Sequence, residues 1–170
     1  MSKQVRNIKP TLKFESTVFF VNDIESSKYF YNIILGQKIM MDFGRNVGFE
    51  GGFAIWEKNY ALNTIFSKEA KNIKVGMNNF EIYFECAEIE KIFKKLKKQE
   101  IQIIHPIIEH PWGQRAFRIY DPDDHIIEIA EPMSEVVVRL HVEGKTIEEI
   151  AQKSLMPIEF IKSILSNIQE

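Results

Sequence analysis

The chain has 170 residues, of which 45% are hydrophobic and 27% are charged, so it can bury a core without help from disulfides or a metal. Its 24 acidic and 22 basic residues leave a formal net charge of -2, which argues against electrostatic binding to nucleic acid or anionic lipid. Small molecules and other proteins are the better candidates for partners.

The sequence predicts a cytoplasmic protein. Cys86 is the only cysteine, which excludes an internal disulfide and is typical of a reducing compartment. The polar N-terminal segment lacks the apolar core of a signal peptide, and no later apolar run is long enough to span a bilayer, so we expect no membrane association.

Two segments, residues 14–35 and 79–98, share a pattern in which a strand leads into an amphipathic helix. Each helix starts at an acid-Ile-Glu sequence, Asp23-Ile24-Glu25 in the first and Glu88-Ile89-Glu90 in the second. Aligning the two starts matches three pairs of strand residues: Ser16 with Glu81, Val18 with Tyr83, and Phe20 with Glu85. Short strands are predicted after the helices, at 38–42, 47–50 and 53–57 and then at about 102–105.

These elements predict two βαβββ modules, at about residues 12–60 and 79–132. The helix covers one sheet face in each module and leaves the other face open, so two modules side by side would form a cup. Residues 58–78 are predicted to connect the modules, with room for a short helix around Ile65 and Phe66.

A hairpin closes the second module. Asp121-Pro122-Asp123-Asp124 is a turn sequence between two strand-forming runs. Alternation of side chains along the two arms places one set on the open face: Gln114, Ala116, Arg118, Tyr120, Ile126, Glu128 and Ala130. A guanidinium, a phenol and a carboxylate on one sheet face predict a pocket wall.

The pattern becomes helical after Pro132, and residues 133–170 form a predicted helical tail. Ser134 is available to cap a first helix that ends near Gly144. Thr146 and Glu149 form a capping box for a second helix, and Pro157 suits the first turn of a third.

The sequence resembles the vicinal oxygen chelate superfamily in three features. They are the two acid-Ile-Glu helices, the Phe30-Tyr31 and Leu35-Gly36 pairs of the first module, and the ending Asp121-Pro122-Asp123 with inward Glu128. That superfamily contains glyoxalase I, bleomycin-resistance proteins and extradiol dioxygenases. The resemblance covers residues 12–132 and implies an α+β fold in which paired βαβββ modules form a cup-shaped mixed sheet, here with a C-terminal helical extension. It also places a glycine where Asp124 stands, and Asp tolerates the left-handed conformation at modest cost.

Enzymes of the superfamily hold a divalent metal with four ligands, one from the first and one from the last strand of each module. The resemblance places these ligands at Ser16 and near Ile55 in the first module, with Glu57 as the alternative, and at Glu81 and Glu128 in the second. Two carboxylates and a serine are an incomplete set, so Mg2+, Mn2+, Ni2+ or Zn2+ bound by Glu81 and Glu128 is only an alternative hypothesis.

The sequence therefore favours a bleomycin-resistance-like protein that binds a small molecule in its cup without a complete metal site. The predicted cup residues are Ser16, Phe20, Glu81, Tyr83, Glu85, Trp112, Gln114, Arg118, Tyr120 and Glu128. The alternative is a metal-dependent lyase, isomerase or dioxygenase, and catalysis is left open. Arg118 either forms a structural ion pair or holds an anionic or carbonyl ligand while a glutamate acts as a base.

The resemblance also implies a homodimer, since cups of this superfamily are often completed by a second copy. The tail is interpreted as a docking or dimer-stabilising element, and the alternative is that it covers the open edge of the cup as a ligand-responsive element. DNA binding is a distant alternative for it, because residues 157–170 offer only Lys162 against two glutamates.

Overall fold

The computed structural model describes residues 12–66 and 73–168, so residues 67–72 of the predicted connector and the last two residues of the tail lie outside the described part. The described residues form eight strands and six helices: β1 (Thr17–Val21), α1 (Ile24–Tyr29) with a π-helical continuation (Phe30–Ile34), β2 (Ile39–Asp42), β3 (Asn46–Phe49), β4 (Phe53–Glu57), α2 (Lys58–Thr64), β5 (Glu81–Glu85), α3 (Ile89–Lys97), β6 (Ile103–Glu109), β7 (Arg115–Tyr120), β8 (Ile126–Ala130), α4 (Met133–Val142), α5 (Ile147–Ser154) and α6 (Ile158–Ser166).

The strands form two four-stranded mixed sheets with the same topology, β1-β4-β3-β2 and β5-β8-β7-β6. In each sheet the first strand pairs in parallel with the last, and the other pairs are antiparallel. The predicted α+β class, the paired βαβββ arrangement and the helical extension are confirmed.

The two module helices begin where the acid-Ile-Glu sequences predict. Asp23 follows β1 by two residues and caps α1, because one of its carboxylate oxygens accepts hydrogen bonds from the backbone N–H groups of Glu25 and Ser26, both at 2.9 Å. The π-helical turn that continues α1 ends before Gly36, whose φ of +72° is the left-handed conformation common after a helix C-terminus.

One apolar core lies between the modules. The helix-covered faces of both sheets pack into it together with α1 and α3, and its buried members come from both halves of the chain: Phe19, Val21, Ile24, Phe30, Tyr31, Val47, Phe49, Ile55, Ile89, Leu96, Phe117, Ile119, Ile127 and Ile129. The opposite, open face of each sheet remains accessible, since Val18 is 42% and Tyr83 is 47% exposed.

Buried polar contacts join the second hairpin turn to the first module. The Asp121 carboxylate accepts a hydrogen bond from the Tyr31 hydroxyl at 2.7 Å. The Asp123 carboxylate accepts from the backbone N–H of Asn22 at 3.0 Å and from its side-chain amide. Asp124 in the same turn has a φ of +62°, as the comparison with glycine predicts.

Two elements differ from their predictions. Strand β6 runs to Glu109 rather than ending near His105, because it is the edge strand and the missing N–H of Pro106 breaks no ladder there. Helix α2 starts at Lys58, well before the predicted position around Ile65, because the Glu57 carboxylate caps it by accepting from the backbone N–H groups of Asn59 and Tyr60.

The tail forms three helices with a second apolar core of Val136, Val137, Leu140, Ile150, Ile161 and Leu165. The capping box of Thr146 and Glu149 is confirmed, with both reciprocal bonds present. The prediction for Ser134 is wrong, because the N-cap of α4 is Pro132, two residues earlier, and it makes no side-chain cap bond. Pro157 likewise stands at the N-cap of α6, just before its first turn.

Candidate functional site

The predicted cup residues of the second module share the open face of its sheet, called here the polar face. Register explains this, because Tyr83 pairs with Glu128 across β5 and β8, and Arg118 pairs with Glu128 across β7 and β8. Partners in a ladder project to the same side of a sheet. The polar face therefore contains Glu81, Tyr83, Glu85, Gln114, Arg118, Tyr120 and Glu128, with Trp112 in the turn at one end.

The Arg118 guanidinium lies between two carboxylates. Its Nε atom is 2.8 Å from Oε2 of Glu81, and its Nη2 atom is 2.8 Å from Oε2 of Glu128. Its Nη1 atom lies 3.3 Å from Nε2 of His105. The structural ion pair that the sequence left open is therefore present.

The two carboxyl groups differ in acidity. The hydrogen bond from Arg118 lowers the pKa of Glu81. Burial raises the pKa of Glu128, the nearby Glu81 raises it further, and the Arg118 charge opposes both effects. Glu128 is 7% exposed, so it is the acid of this pair that holds a proton more readily.

An aromatic corner closes one end of the polar face. The imidazole of His110 stacks on the indole of Trp112, with ring centroids 4.6 Å apart. The Trp112 N–H donates to Oε1 of Gln114 at 3.0 Å, and the Gln114 amide donates to the Tyr83 hydroxyl at 2.9 Å. The Tyr83 hydroxyl in turn donates to Glu85, and burial together with that carboxylate raises the pKa of Tyr83 to about 12.

Nε2 of His110 is a buried atom that has no hydrogen-bond partner among the described residues. It lies 4.0 Å from Oε1 of Glu128, beyond hydrogen-bond range. Burial, followed by the charge of Arg118, lowers the pKa of His110, so the imidazole is neutral at pH 7. An orphaned polar atom in such a position is available to a ligand.

The first module does not supply the metal ligands that the superfamily resemblance implies. Ser16 precedes β1 and is exposed, and its hydroxyl donates to the carbonyl of Thr17. The position equivalent to Glu128 is Ala54, since Ala54 pairs with Val18 as Glu128 pairs with Tyr83.

The two residues proposed for that position serve other purposes. Ile55 is buried in the core, and Glu57 caps α2. Within residues 12–66 and 73–168, no group of three or more His, Cys, Asp or Glu side chains could hold a metal ion. With Glu81 and Glu128 already bound to Arg118, the donor set does not fit a divalent metal.

The open face of the first module is apolar by contrast. Phe20 projects from β1 and contacts the ring of Phe66, with centroids 5.8 Å apart. Trp56 is its ladder partner on β4, and the indole N–H of Trp56 is buried without a partner among the described residues. Among the described residues, each open face therefore has one buried side-chain nitrogen without a hydrogen-bond partner.

The glyoxalase-like domain model matches residues 14–134. The chain belongs to that family. It is thus a member of the vicinal oxygen chelate superfamily, as its sequence motifs indicate. The matched segment ends just inside α4, so the rest of the tail lies beyond the family domain.

Solved structures agree with this assignment. A protein of unknown function from Agrobacterium tumefaciens is 40% identical over 73% of this chain and 97% of its own, with a TM-score of 0.65. A glyoxalase/bleomycin resistance protein/dioxygenase from Nocardioides is 19% identical over 74% and 86%, with a TM-score of 0.58. Lactoylglutathione lyase from Agrobacterium tumefaciens is 20% identical over 72% and 95%, with a TM-score of 0.55. No curated protein matches the chain.

Sequence reasoning missed three residues of the site. His105 and His110 are not among the predicted cup residues. Their side-chain directions depend on the edge-strand irregularities and on the turn, and the residue pattern encodes neither. Trp56 was missed because the alignment placed Ile55 at the open face, one residue out of register. Because neighbouring residues of a strand project to opposite faces, the core position of Ile55 places Trp56 on the open face.

Proposed function

We propose that the family domain binds a small organic molecule on the polar face without a metal. The observation that carries this proposal is the position of the Arg118 guanidinium, a fixed internal cation that pairs with both the Glu81 and the Glu128 carboxylates. The unsatisfied Nε2 of His110 supplies a hydrogen-bonding position beside it. Satisfying such a buried atom is worth about 1–3 kcal/mol, which a ligand can recover on binding.

The charge of the polar face selects the ligand class. Among the described residues the face carries three carboxylates, Glu81, Glu85 and Glu128, against the single guanidinium of Arg118. An anion would meet net negative charge, whereas an amine can bind the carboxylate oxygens that Arg118 leaves free. The Trp112 indole offers a flat apolar surface for a ring and an additional attraction for a cation. The proposed ligand is an aromatic amine.

A second copy of the chain is the proposed cover for this face. The open face of the first module exposes Val18 and, at 58%, Met41, and the N–H of Trp56 has no hydrogen-bond partner in the part of the chain that the structure describes. Such a surface complements the polar face, with apolar contacts for a ligand ring. The proposed location is the cytoplasm, where the partly buried Cys86 stays reduced.

Dimerisation is tested by Val18→Glu. Sedimentation is expected to show a dimer for the wild type and a monomer for the variant, because a charge at this position would face the polar, acidic surface of the partner. Lys162→Gln, on the exposed side of α6, is the control that keeps the dimer. A wild-type chain that stays monomeric over a 100-fold range of concentrations up to about 1 mM would contradict the proposed dimer, because a dissociation constant above that range is weaker than ordinary specific association.

The ligand class is tested with a matched series of phenethylamine, 2-phenylethanol and phenylacetate. Each is titrated into the full chain while the indole N–H resonance of Trp112 is followed by NMR. We expect the amine to bind more tightly than the alcohol and phenylacetate to bind least. Glu128→Gln should weaken the amine by about five- to tenfold, the loss of roughly one charge-assisted contact, and leave the alcohol unchanged.

The matched control is Glu148→Gln, which removes the same charge from an exposed position on α5. It should leave all three affinities at their wild-type values. Tighter binding of phenylacetate than of phenethylamine would contradict the proposed ligand class.

The metal-dependent alternative has its own test. Thermal unfolding is measured with and without excess Mg2+, Mn2+, Ni2+ and Zn2+, since an ion that binds only the folded chain raises the melting temperature by mass action. We expect no shift. A shift that Glu81→Gln and Glu128→Gln abolish would overturn the metal-free proposal and support a lyase, isomerase or dioxygenase.

A further inference from the structure

The turn that holds the aromatic corner rests on the helical tail. The turn closes through two backbone hydrogen bonds, from Gly113 N–H to the His110 carbonyl and from His110 N–H to the Gln114 carbonyl, both at 2.8 Å. Gly113 has a φ of +82°. A Cβ atom there would lie 3.1 Å from Cε of Lys153 and 3.3 Å from Cγ1 of Val136, so α4 and α5 pack directly against the glycine.

Arg139 of α4 connects the tail to this turn by hydrogen bonds. Its Nη2 atom donates to the Gly113 carbonyl and, at 2.7 Å, to Oε1 of Glu131. The Glu131 side chain is fully buried, and its other oxygen accepts from Nε of Arg115 at 2.8 Å. The backbone carbonyl of Glu131 accepts from the Gln114 amide at 2.9 Å.

A continuous set of contacts therefore leads from the tail to the polar face. Gln114 is the shared member, because the same side chain contacts Glu131, the Trp112 indole and the Tyr83 hydroxyl. A second contact reinforces the attachment, since Glu109 at the end of β6 pairs with both Lys153 and Arg139. The attachment is largely polar, whereas the inside of the tail is a separate apolar core.

We infer that the helical tail is a positioning element for the ligand face, in which Arg139 and the packing on Gly113 hold His110 and Trp112 in place. This inference rests on the proposed function, because the polar face is the proposed binding surface. It assigns a role to the segment beyond the family domain, which ends at residue 134. Arg139 acts through the turn and Gln114 rather than by touching the ligand.

The test compares Arg139→Gln and Arg139→Lys in the full chain. The readouts are the indole N–H resonance of Trp112 and the affinity for phenethylamine. Arg139→Gln is expected to move the Trp112 resonance and to weaken amine binding by about five- to tenfold, a typical coupling between linked sites. Arg139→Lys keeps a cationic donor for the Gly113 carbonyl, so it should restore part of both effects.

Two internal controls accompany the test. The indole resonance of Trp56, on the other module, should stay in place in every variant. Lys162→Gln should change neither readout, because Lys162 lies on α6 and pairs only with Glu159 among the described residues. Lys153→Ala serves as the second variant if Arg139→Gln fails to fold. It removes the packing of Lys153 on Gly113 and its pair with Glu109, so it should move the same Trp112 resonance from the side of the tail.

The outcomes separate the two proposals. If phenethylamine fails to bind the wild type but Arg139→Gln still moves the Trp112 resonance, the ligand class is wrong and the positioning role stands. If Arg139→Gln folds normally and leaves both the resonance and the affinity at wild-type values, the positioning role is overturned.

Discussion

Asp121→Ala is expected to lower the free energy of unfolding by about 3–5 kcal/mol, the cost of breaking a buried polar network. The Asp121 carboxylate is buried and accepts four hydrogen bonds. They come from the backbone N–H groups of Asp123 and His125 and from Nδ1 of His125, each at 2.9 Å, and from the Tyr31 hydroxyl at 2.7 Å. Alanine would leave these donors unsatisfied in the interior. Urea denaturation followed by circular dichroism measures the loss.

Two matched variants apportion this effect. Tyr31→Phe removes only the phenol from the network and is expected to cost about 1 kcal/mol. Asp124→Gly changes an exposed residue of the same turn with a φ of +62°, and it should stabilise the fold slightly, by about 0.5 kcal/mol. A loss of less than about 1 kcal/mol for Asp121→Ala would show that the network is dispensable.

Arg118→Met is expected to cost about 3 kcal/mol at pH 8, since it leaves Glu128 as a buried charge without its cation. The pKa of Glu128 is already raised by burial, and loss of Arg118 raises it further. The folded state then binds the Glu128 proton more tightly than the unfolded chain does. The stability that the bound Glu128 proton contributes is present at low pH and is lost as the pH rises through the raised pKa. The loss of unfolding free energy caused by Arg118→Met should therefore shrink towards pH 5.

The double variant Arg118→Met, Glu128→Gln isolates the Glu128 contribution. Glu81 has a lowered pKa, so its own contribution has the opposite sign and is lost as the pH falls. Both variants lack Arg118, so any change at Glu81 is common to them. The difference between their free energies of unfolding therefore comes from Glu128. We expect the double variant to recover most of the loss at pH 8. Equal deficits for Arg118→Met at pH 5 and pH 8 would refute the assignment of a buried, unpaired Glu128.

The fold was predictable because local patterns and register agree with each other. The two acid-Ile-Glu starts located α1 and α3, and alternation in the hairpin placed Arg118 and Glu128 on one face. The wrong or incomplete predictions have local causes. Ser134 is a residue type typical of an N-cap, but α4 begins at Met133 with Pro132 at its N-cap. Glu57 is an uncommon residue type at an N-cap, so α2 was expected too late.

The site was predictable only in part, because its details depend on tertiary contacts. Alternation identified which side chains share the polar face, but it could not show that Arg118 occupies both carboxylates. The stacking of His110 on Trp112 depends on a turn that the tail packs against, and that contact joins residues far apart in sequence. Binding by these residues remains a proposal.

The shared core has a consequence for how the chain is made. Tyr31 is separated from Asp121 by 90 residues, and Asn22 from Asp123 by 101. At ordinary synthesis rates of roughly 5–20 residues per second, the first module leaves the ribosome several seconds before its partner exists. During that time its half of the core, including Phe19 and Phe30, has no second half to pack against. The nascent protein is therefore most exposed to aggregation and to chaperones before the second hairpin turn emerges.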